Sequence, residues 1–193
     1  MARAVIARLA AFGVALLAAG GAWAGSWQGD GKAGTLEFTA IQAGARFTGR
    51  FADFHVDLDF DPAAPARGRL HVTISTASAD TQDDDRDGIL KSEDFFWSGR
   101  HPQAVYRAEG FERDGEGWRA QGELTLRGVT RKVPVHFELA PGKVRLGMKG
   151  GAELRRLAFS VGQGDWASTE WIGDEVGIAF DLGLRPAAAA ASP

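Results

Sequence analysis

From Thr35 onward apolar and polar residues alternate with a period of two over most of the chain, the pattern of strands with one buried face. Leu36, Phe38 and Ala40 alternate with Thr35, Glu37 and Thr39, and Phe47, Gly49 and Phe51 continue the set. After a change of phase near Phe54 and His55, the apolar positions become Val56, Leu58 and Phe60. A phase change within one run predicts a bulge or bend. Asp61-Pro62, with Pro65 and Gly68, predicts a turn, after which Leu70, Val72 and Ile74 share a face. Val105 to Phe111 and the alternating set Trp118, Ala120, Gly122, Leu124 and Leu126 predict a hairpin, joined by a glycine-containing turn at 114–117. Val133, Val135, Phe137 and Leu139 follow. A strand through Leu157, Phe159 and Val161 is expected next, and Val176, Ile178, Phe180 and Leu182 end the series. About eight strands at hairpin spacing predict an all-β domain, its antiparallel sheet closed into a barrel or folded into a sandwich.

Other segments depart from that period. Thr81 to Phe96 predicts a short helix inserted between strands, with Asp83, Asp84 and Asp85 at the positive end of its dipole and Ile89 and Leu90 on an apolar face. The same run puts Asp83, Asp85, Asp87 and Gly88 at positions one, three, five and six of a calcium-binding EF-hand loop. Asp94 stands where that motif has a bidentate Glu, Lys91 falls at position nine, and a strand rather than a helix comes before it. A solvated helix N-terminus accounts for the acids better. At the chain start, Arg3 and Arg8 flank or precede an apolar run from Leu9 to Ala19, short of the roughly 20 residues a bilayer span needs. Ala22-Trp23-Ala24 then supplies a signal-peptidase site. The expected organisation is a secretory signal at 1–24, cleaved after Ala24, one domain at 25–185, and a disordered Ala-rich tail at 186–193.

A chain of 193 residues has room for one ordinary domain. The absence of cysteine removes disulfides, thiolate metal sites and cysteine nucleophiles together. The formal charge of −3 comes without a basic cluster, so the footprint of a nucleic-acid partner is missing. Loss of Arg3 and Arg8 with the signal makes the product more acidic. His55, His71, His101 and His136 are scattered without an H-E-x-x-H motif, and solvent exposure accounts for all of them, so no metal site is expected. Neither G-x-S-x-G nor S-x-x-K occurs, and nothing supports an enzyme. The 12 Phe and 6 Trp carry more information. Asp94-Phe95-Phe96-Trp97 and the pair Trp166 and Trp171 either cap a packed core or line the mouth of an apolar cavity, since an eight-stranded barrel is just wide enough for either filling.

Several strings resemble the YceI-like family. They are Phe47-Thr48-Gly49-Arg50-Phe51-Ala52-Asp53-Phe54, the stretch Val72 to Ala79 leading into Leu90-Lys91-Ser92-Glu93-Asp94-Phe95-Phe96, His101-Pro102, and Gly122-Glu123-Leu124-Thr125-Leu126-Arg127-Gly128-Val129-Thr130-Arg131, with Leu157 to Gly162 and Gly173 to Val176. The resemblance implies an extended, antiparallel, eight-stranded lipocalin-like barrel, exported to the bacterial periplasm, that holds a long isoprenoid or related lipid. Relatives found beside or fused to membrane b-type cytochromes suggest a quinone such as ubiquinone as ligand, and docking onto such a cytochrome as the alternative role. The family carries over no catalytic residue and no cofactor beyond that ligand. The first strand lacks the family's His-Ser pair, and Trp97-Ser98-Gly99-Arg100 departs from its usual linker. Within such a barrel, strand phase assigns Phe38, Phe51, Leu70, Val72, Ile74, Leu124, Val135, Phe137, Phe159, Ile178 and Phe180 to the wall, and Ile89, Phe95, Phe96 and Trp166 to the mouth.

Overall fold

In the computed structural model, which describes residues 23–188, the alternating faces become one antiparallel sheet of twelve segments. They are β1 (Gly25–Asp30), β2 (Gly34–Gln42), β3 (Ala45–Phe51), β4 (Phe54–Phe60), β5 (Arg69–Ser75), β6 (Ala79–Asp80), β7 (Gln103–Glu109), β8 (Phe111–Asp114), β9 (Gly117–Leu126), β10 (Val129–Pro141), β11 (Leu146–Arg155) and β12 (Glu175–Pro186). One helix, α1 (Asp84–Lys91), lies between β6 and β7. Residues 1–22, with most of the expected signal, and 189–193 of the expected tail lie outside the described residues.

Several segments lie end to end, so the twelve make eight staves of a closed antiparallel barrel. Along one edge of β12, Phe38 of β2 pairs with Ile178 and Trp27 of β1 pairs with Pro186, which closes the barrel on its last strand. β3 and β4 follow β2 and β1 in the same manner, Gly49 opposite Phe38 and Leu58 opposite Trp27. The phase change expected near Phe54 is therefore a break within one long stave. At that break the Ala52 N–H donates to Ser78 O (3.2 Å) and Asp53 O accepts from Ser75 N (2.9 Å), so backbone polar groups stay paired where the ladder is interrupted. Gly49 has a packing reason: a Cβ there would stand 2.3 Å from the Phe38 ring.

Three expectations are corrected. No strand runs through Leu157, Phe159 and Val161. Residues Arg156–Phe159 form a 3-10 turn ended by Ser160 at φ 57°, which aims Phe159 and Val161 inward from a loop. The strand of this region is instead β11, hidden from the alternation because Gly147, Gly150 and Gly151 interrupt it. A Cβ at Gly150 would lie 2.1 Å from His136 O and 2.8 Å from the Phe180 ring, so its neighbours need the space. Second, the helix is shorter than Thr81 to Phe96. Asp83 caps it by accepting from Arg86 N (3.0 Å), Ser92 ends it, and Thr81 donates from N (2.8 Å) and Oγ1 (2.7 Å) to Asp87 ahead of it. Third, order reaches past 185. Pro186 pairs with Trp27, and Ala187 N donates to Ser26 O (2.8 Å).

The two ends of the barrel differ. At one end Leu58, Leu146 and Leu184 are fully buried, beneath a cluster of aromatic rings in which Phe60 meets Trp118 edge-on (4.9 Å) and stacks on Phe111 (5.8 Å). Phe137 belongs to this plug, edge-on to Phe111 at 5.3 Å. At the other end α1 and the loop between β11 and β12 lie across the staves.

Candidate functional site

Below α1 the barrel encloses a cavity of about 360 Å³, a volume within the usual range of ligand pockets. Its walls come from inward positions of nearly every stave: Phe38 from β2, Phe51 from β3, Leu70, Val72 and Ile74 from β5, Leu124 from β9, Val135 from β10, and Ile178 and Phe180 from β12. Ile89 of α1, Phe95 and Phe96 after it, and Phe159 and Trp166 from the loop before β12 also line it. Phe95 and Trp166 meet edge-on at 5.7 Å, and Phe96 leans on Phe51 at 6.0 Å, so the segment after α1 and the long loop are tied to each other and to the wall.

Phe137 is the one assigned wall residue that the fold puts elsewhere. It has the inward phase expected of it, but β10 runs on past the cavity and delivers it to the aromatic plug, where it is 3% exposed. Alternation tells which face a residue lies on and says nothing of its height along the barrel axis. Further inward positions share these phases. Leu36 shares the phase of Phe38, Val133 that of Val135, and Val176 and Leu182 that of Ile178, and all line the cavity. Met148 and Leu154, on β11, line it too.

Two polar residues face the cavity from within the wall, and both are saturated. Tyr106 Oη donates toward Val133 O (3.1 Å) and Ala120 O (3.3 Å), and burial pushes its pKa up to about 12. Gly122 leaves room for it, because a Cβ there would be 2.3 Å from the ring. Arg156 is buried and donates from Nε to Gly173 O (3.0 Å), from Nη1 to Val161 O (3.0 Å) and Gly162 O (3.5 Å), and from Nη2 to Ser168 O (3.1 Å) and Ile172 O (2.8 Å). A guanidinium has five N–H groups, and each finds a carbonyl of the loop 161–173. Burial lowers the pKa of Arg156, with Asp174 opposing the shift.

The remaining polar lining gathers at the mouth. Arg86 Nε donates to Gln42 Oε1 (3.1 Å), its Nη2 lies 3.2 Å from Asp83 Oδ2, and its guanidinium covers the Phe47 ring at 4.6 Å. Asp85 lines the same opening. Beside it Trp171 stands 66% exposed, next in sequence to the cavity-lining Ile172.

Of the acidic run, Asp83 caps α1 and Asp87 accepts from Thr81, while Asp84 and Asp85 lie exposed on the first turn of a helix that follows a strand. Among the described residues, no group of three or more His, Asp or Glu side chains is placed to hold a metal ion. The histidines divide, against the expectation that all are solvent-exposed. His55 and His136 are exposed beside Asp57 and Asp114. His71 is half-buried, and His101 is half-buried between Gly128 and the Trp97 ring, edge-on at 5.8 Å. Among the described residues no helix is long and apolar enough to cross a membrane.

The YceI-like domain family model matches residues 27–184. A UPF0312 protein of Pseudomonas paraeruginosa is 34% identical over 160 residues, covering 78% of this chain and 84% of its own length. Protein YceI of Escherichia coli is 34% identical over 119 residues, 58% of this chain and 62% of its own. The crystal structure of Burkholderia cenocepacia BcnA superposes with a TM-score of 0.75 at 29% identity, over 78% of this chain and 95% of that one. A polyisoprenoid binding domain from Saccharophagus degradans superposes at 0.61, covering 84% of this chain and 98% of that one; at 13% identity the likeness is one of fold.

Proposed function

The chain belongs to the YceI-like family, and from that membership and the enclosed apolar cavity we propose that it is an exported, non-enzymatic binding protein holding a long isoprenoid or related lipid. The observation that carries this reading is the wall itself. Apart from Tyr106 and Arg156, whose donors are already engaged, every polar lining residue lies at the mouth. Such a chamber suits a slender hydrocarbon chain with its head toward the opening. The polyisoprenoid-binding fold neighbour is consistent with a ligand of this kind.

The driving force is apolar burial, about 0.8 kcal/mol per CH₂ equivalent. An isoprene unit with its five carbons gains about 4 kcal/mol on that scale, and a few units outweigh the cost of immobilising the chain. No charged anchor is required. A quinone tail is one chain of this chemistry. The signal expected at 1–24 supports action outside the cytoplasm, in the periplasm.

Native mass spectrometry of the protein purified from periplasm without detergent, followed by organic extraction, tests the proposal. A stoichiometric isoprenoid or other long-chain lipid is expected. Repeated recovery of empty protein that also fails to take up added ubiquinone overturns it, and retention by a membrane cytochrome under those conditions favours a docking role.

A further inference from the structure

We propose that the lipid enters and leaves the chamber sideways, through a seam in the wall where β10 and β11 part, while the cap formed by α1 and the loop 156–174 stays closed. This inference rests on the lipid-binding reading above and adds the route by which the ligand is exchanged.

The seam is a gap in the hydrogen bonding. β10 pairs with β9 from Val129 to Phe137, but its ladder to β11 begins only at His136 opposite Gly151. Toward the cap from that point, residues 129–135 have no strand on their second side, and residues 152–155 of β11 pair only with β12. The turn Arg156–Phe159 passes beside β10, yet its main-chain bonds run elsewhere, from Arg156 N to Asp174 O (2.9 Å) and from Val161 N to Arg156 O (3.1 Å). Among the described residues no hydrogen bond or ion pair joins 129–135 to 152–161. The unpaired edge of β10 is about 20 Å long at the rise of a strand. The joints on either side stay bonded at the same height, Val129 opposite Leu126 and Arg155 opposite Glu175.

The residues at the seam keep its edges apart. Pro134 has no N–H to donate, and Arg131 and Lys132 before it are exposed cations; proline and lysine are the means by which edge strands avoid further pairing. On β11 the ladder ends at Gly150 and Gly151, which bring no side chain to reinforce it. Inside, Val133 and Val135 face the chamber from one side of the seam, and Ala152 and Leu154 from the other. Outside, a groove lined by Pro134, His136, Gly151 and Glu153 lies over it, and Ala152 and Ile178 border groove and chamber alike.

The cap is fastened more firmly. Ala43 N donates to Trp171 O (2.7 Å), Gly173 N to Ile41 O (2.9 Å), and Gly162 N and Gln163 N to Asp94 O (2.8 and 2.9 Å). Arg86 Nε donates to Gln42 Oε1 (3.1 Å) and Arg127 Nη2 to Glu93 O (2.8 Å). Lifting the cap breaks such bonds, each at a net cost, and a passing hydrocarbon restores none of them. Parting the seam separates apolar side chains without breaking a hydrogen bond, and a hydrocarbon sliding between them replaces the contacts it interrupts.

The chain has no cysteine, so introduced thiols can fasten either route alone. Pro134→Cys with Glu153→Cys puts a thiol on each side of the seam, to be bridged by a cleavable bismaleimide. Ile41→Cys with Gly173→Cys fastens the cap to β2, since a Cβ at Gly173 stands 3.6 Å from that of Ile41, a separation suited to a disulfide. Each protein is loaded with geranylgeraniol, and replacement by the deuterated alcohol is followed by native mass spectrometry. Bridging the seam is expected to slow replacement about tenfold or more relative to the same protein carrying two monofunctional maleimides, and cleavage to restore it, whereas the cap disulfide changes the rate less than about twofold. Amide exchange of the unaltered protein is a check without variants: Ala43, Gly162, Gln163 and Gly173 are expected to stay protected while the lipid is replaced. Equal rates with the seam bridged, arrest by the cap disulfide, or loss of that protection ahead of the lipid overturns the inference. A native protein that takes up no geranylgeraniol overturns the lipid-binding reading itself, and this inference with it.

Discussion

At the scale of single residues, the cavity and the plug separate two kinds of inward side chain that share one alternating phase. Val72 faces open space, whereas Phe137 is packed among Phe111 and its aromatic neighbours. Val72→Asp puts a charge into the lumen, where it can reach toward water in an empty chamber. That variant is expected to fold and to lose bound lipid. Phe137→Ala opens a hole in a packed cluster and is expected to lower stability by about 3–5 kcal/mol while its folded fraction still retains lipid. Urea melts read beside native mass spectrometry separate the two effects, and retention of lipid by Val72→Asp would remove Val72 from the binding wall.

Tyr106 makes a second prediction at this scale. Burial holds its folded pKa at about 12 against an ordinary value of 10.0. A phenol raised on folding contributes stability that is complete below its unfolded pKa and is lost as pH climbs through the folded one. Stability should therefore fall between about pH 10 and 12 through this residue, and Tyr106→Phe should flatten that part of the curve. Chemical denaturation across the alkaline range checks it. An unchanged slope in Tyr106→Phe would assign the alkaline loss to other groups.

At the scale of elements, the loop between β11 and β12 depends on one side chain. Arg156 spans five carbonyl oxygens of residues 161–173, and removing it leaves the buried ones among them, those of Val161, Gly162 and Ile172, without this donor. Hydrogen bonds from a charged donor contribute about 1.5–3 kcal/mol each in net terms, and removing a buried donor leaves its acceptors unpaired. Arg156→Met is expected to release the loop, with a loss of more than about 3 kcal/mol in global stability if the loop and barrel unfold together. Hydrogen exchange localised to 161–173 with an intact barrel would show that the loop opens by itself. Either outcome displaces Trp166 and Phe159 from the mouth, and ligand residence time should shorten with it. Unchanged exchange and residence time would mean that the loop holds its place without the guanidinium.

Across the whole molecule, the strands run up and down around the barrel and β12 closes it by pairing with β1 and β2. One end is packed with aromatic rings, and the other is crossed by α1 and a clasped loop, so the apolar interior is filled at one end and covered at the other. Much of this was legible in the alternation. The strands, the hairpin at 114–117, the inserted helix and its acidic start follow from local pattern, because each needs only neighbouring residues to define a face or a cap. β11 escaped because glycines serving its neighbours' packing erase the alternation. Leu157 to Val161 mimicked a strand because a 3-10 turn can also send alternate apolar residues inward.

What the sequence determined by itself was the set of inward faces, since period-two alternation is a property of the strand backbone. All of the assigned wall and mouth residues except Phe137 do line the cavity. Whether a given inward residue meets empty space or another side chain was decided only by the tertiary structure. That depends on the height at which each stave crosses the barrel and on which loops reach over its end. The same holds for the polar mouth: Gln42 and Arg86 are 44 positions apart in the chain and meet only because α1 folds back over the end of β2. No local pattern records such a meeting, because the energy that fixes it is shared among staves distant in sequence.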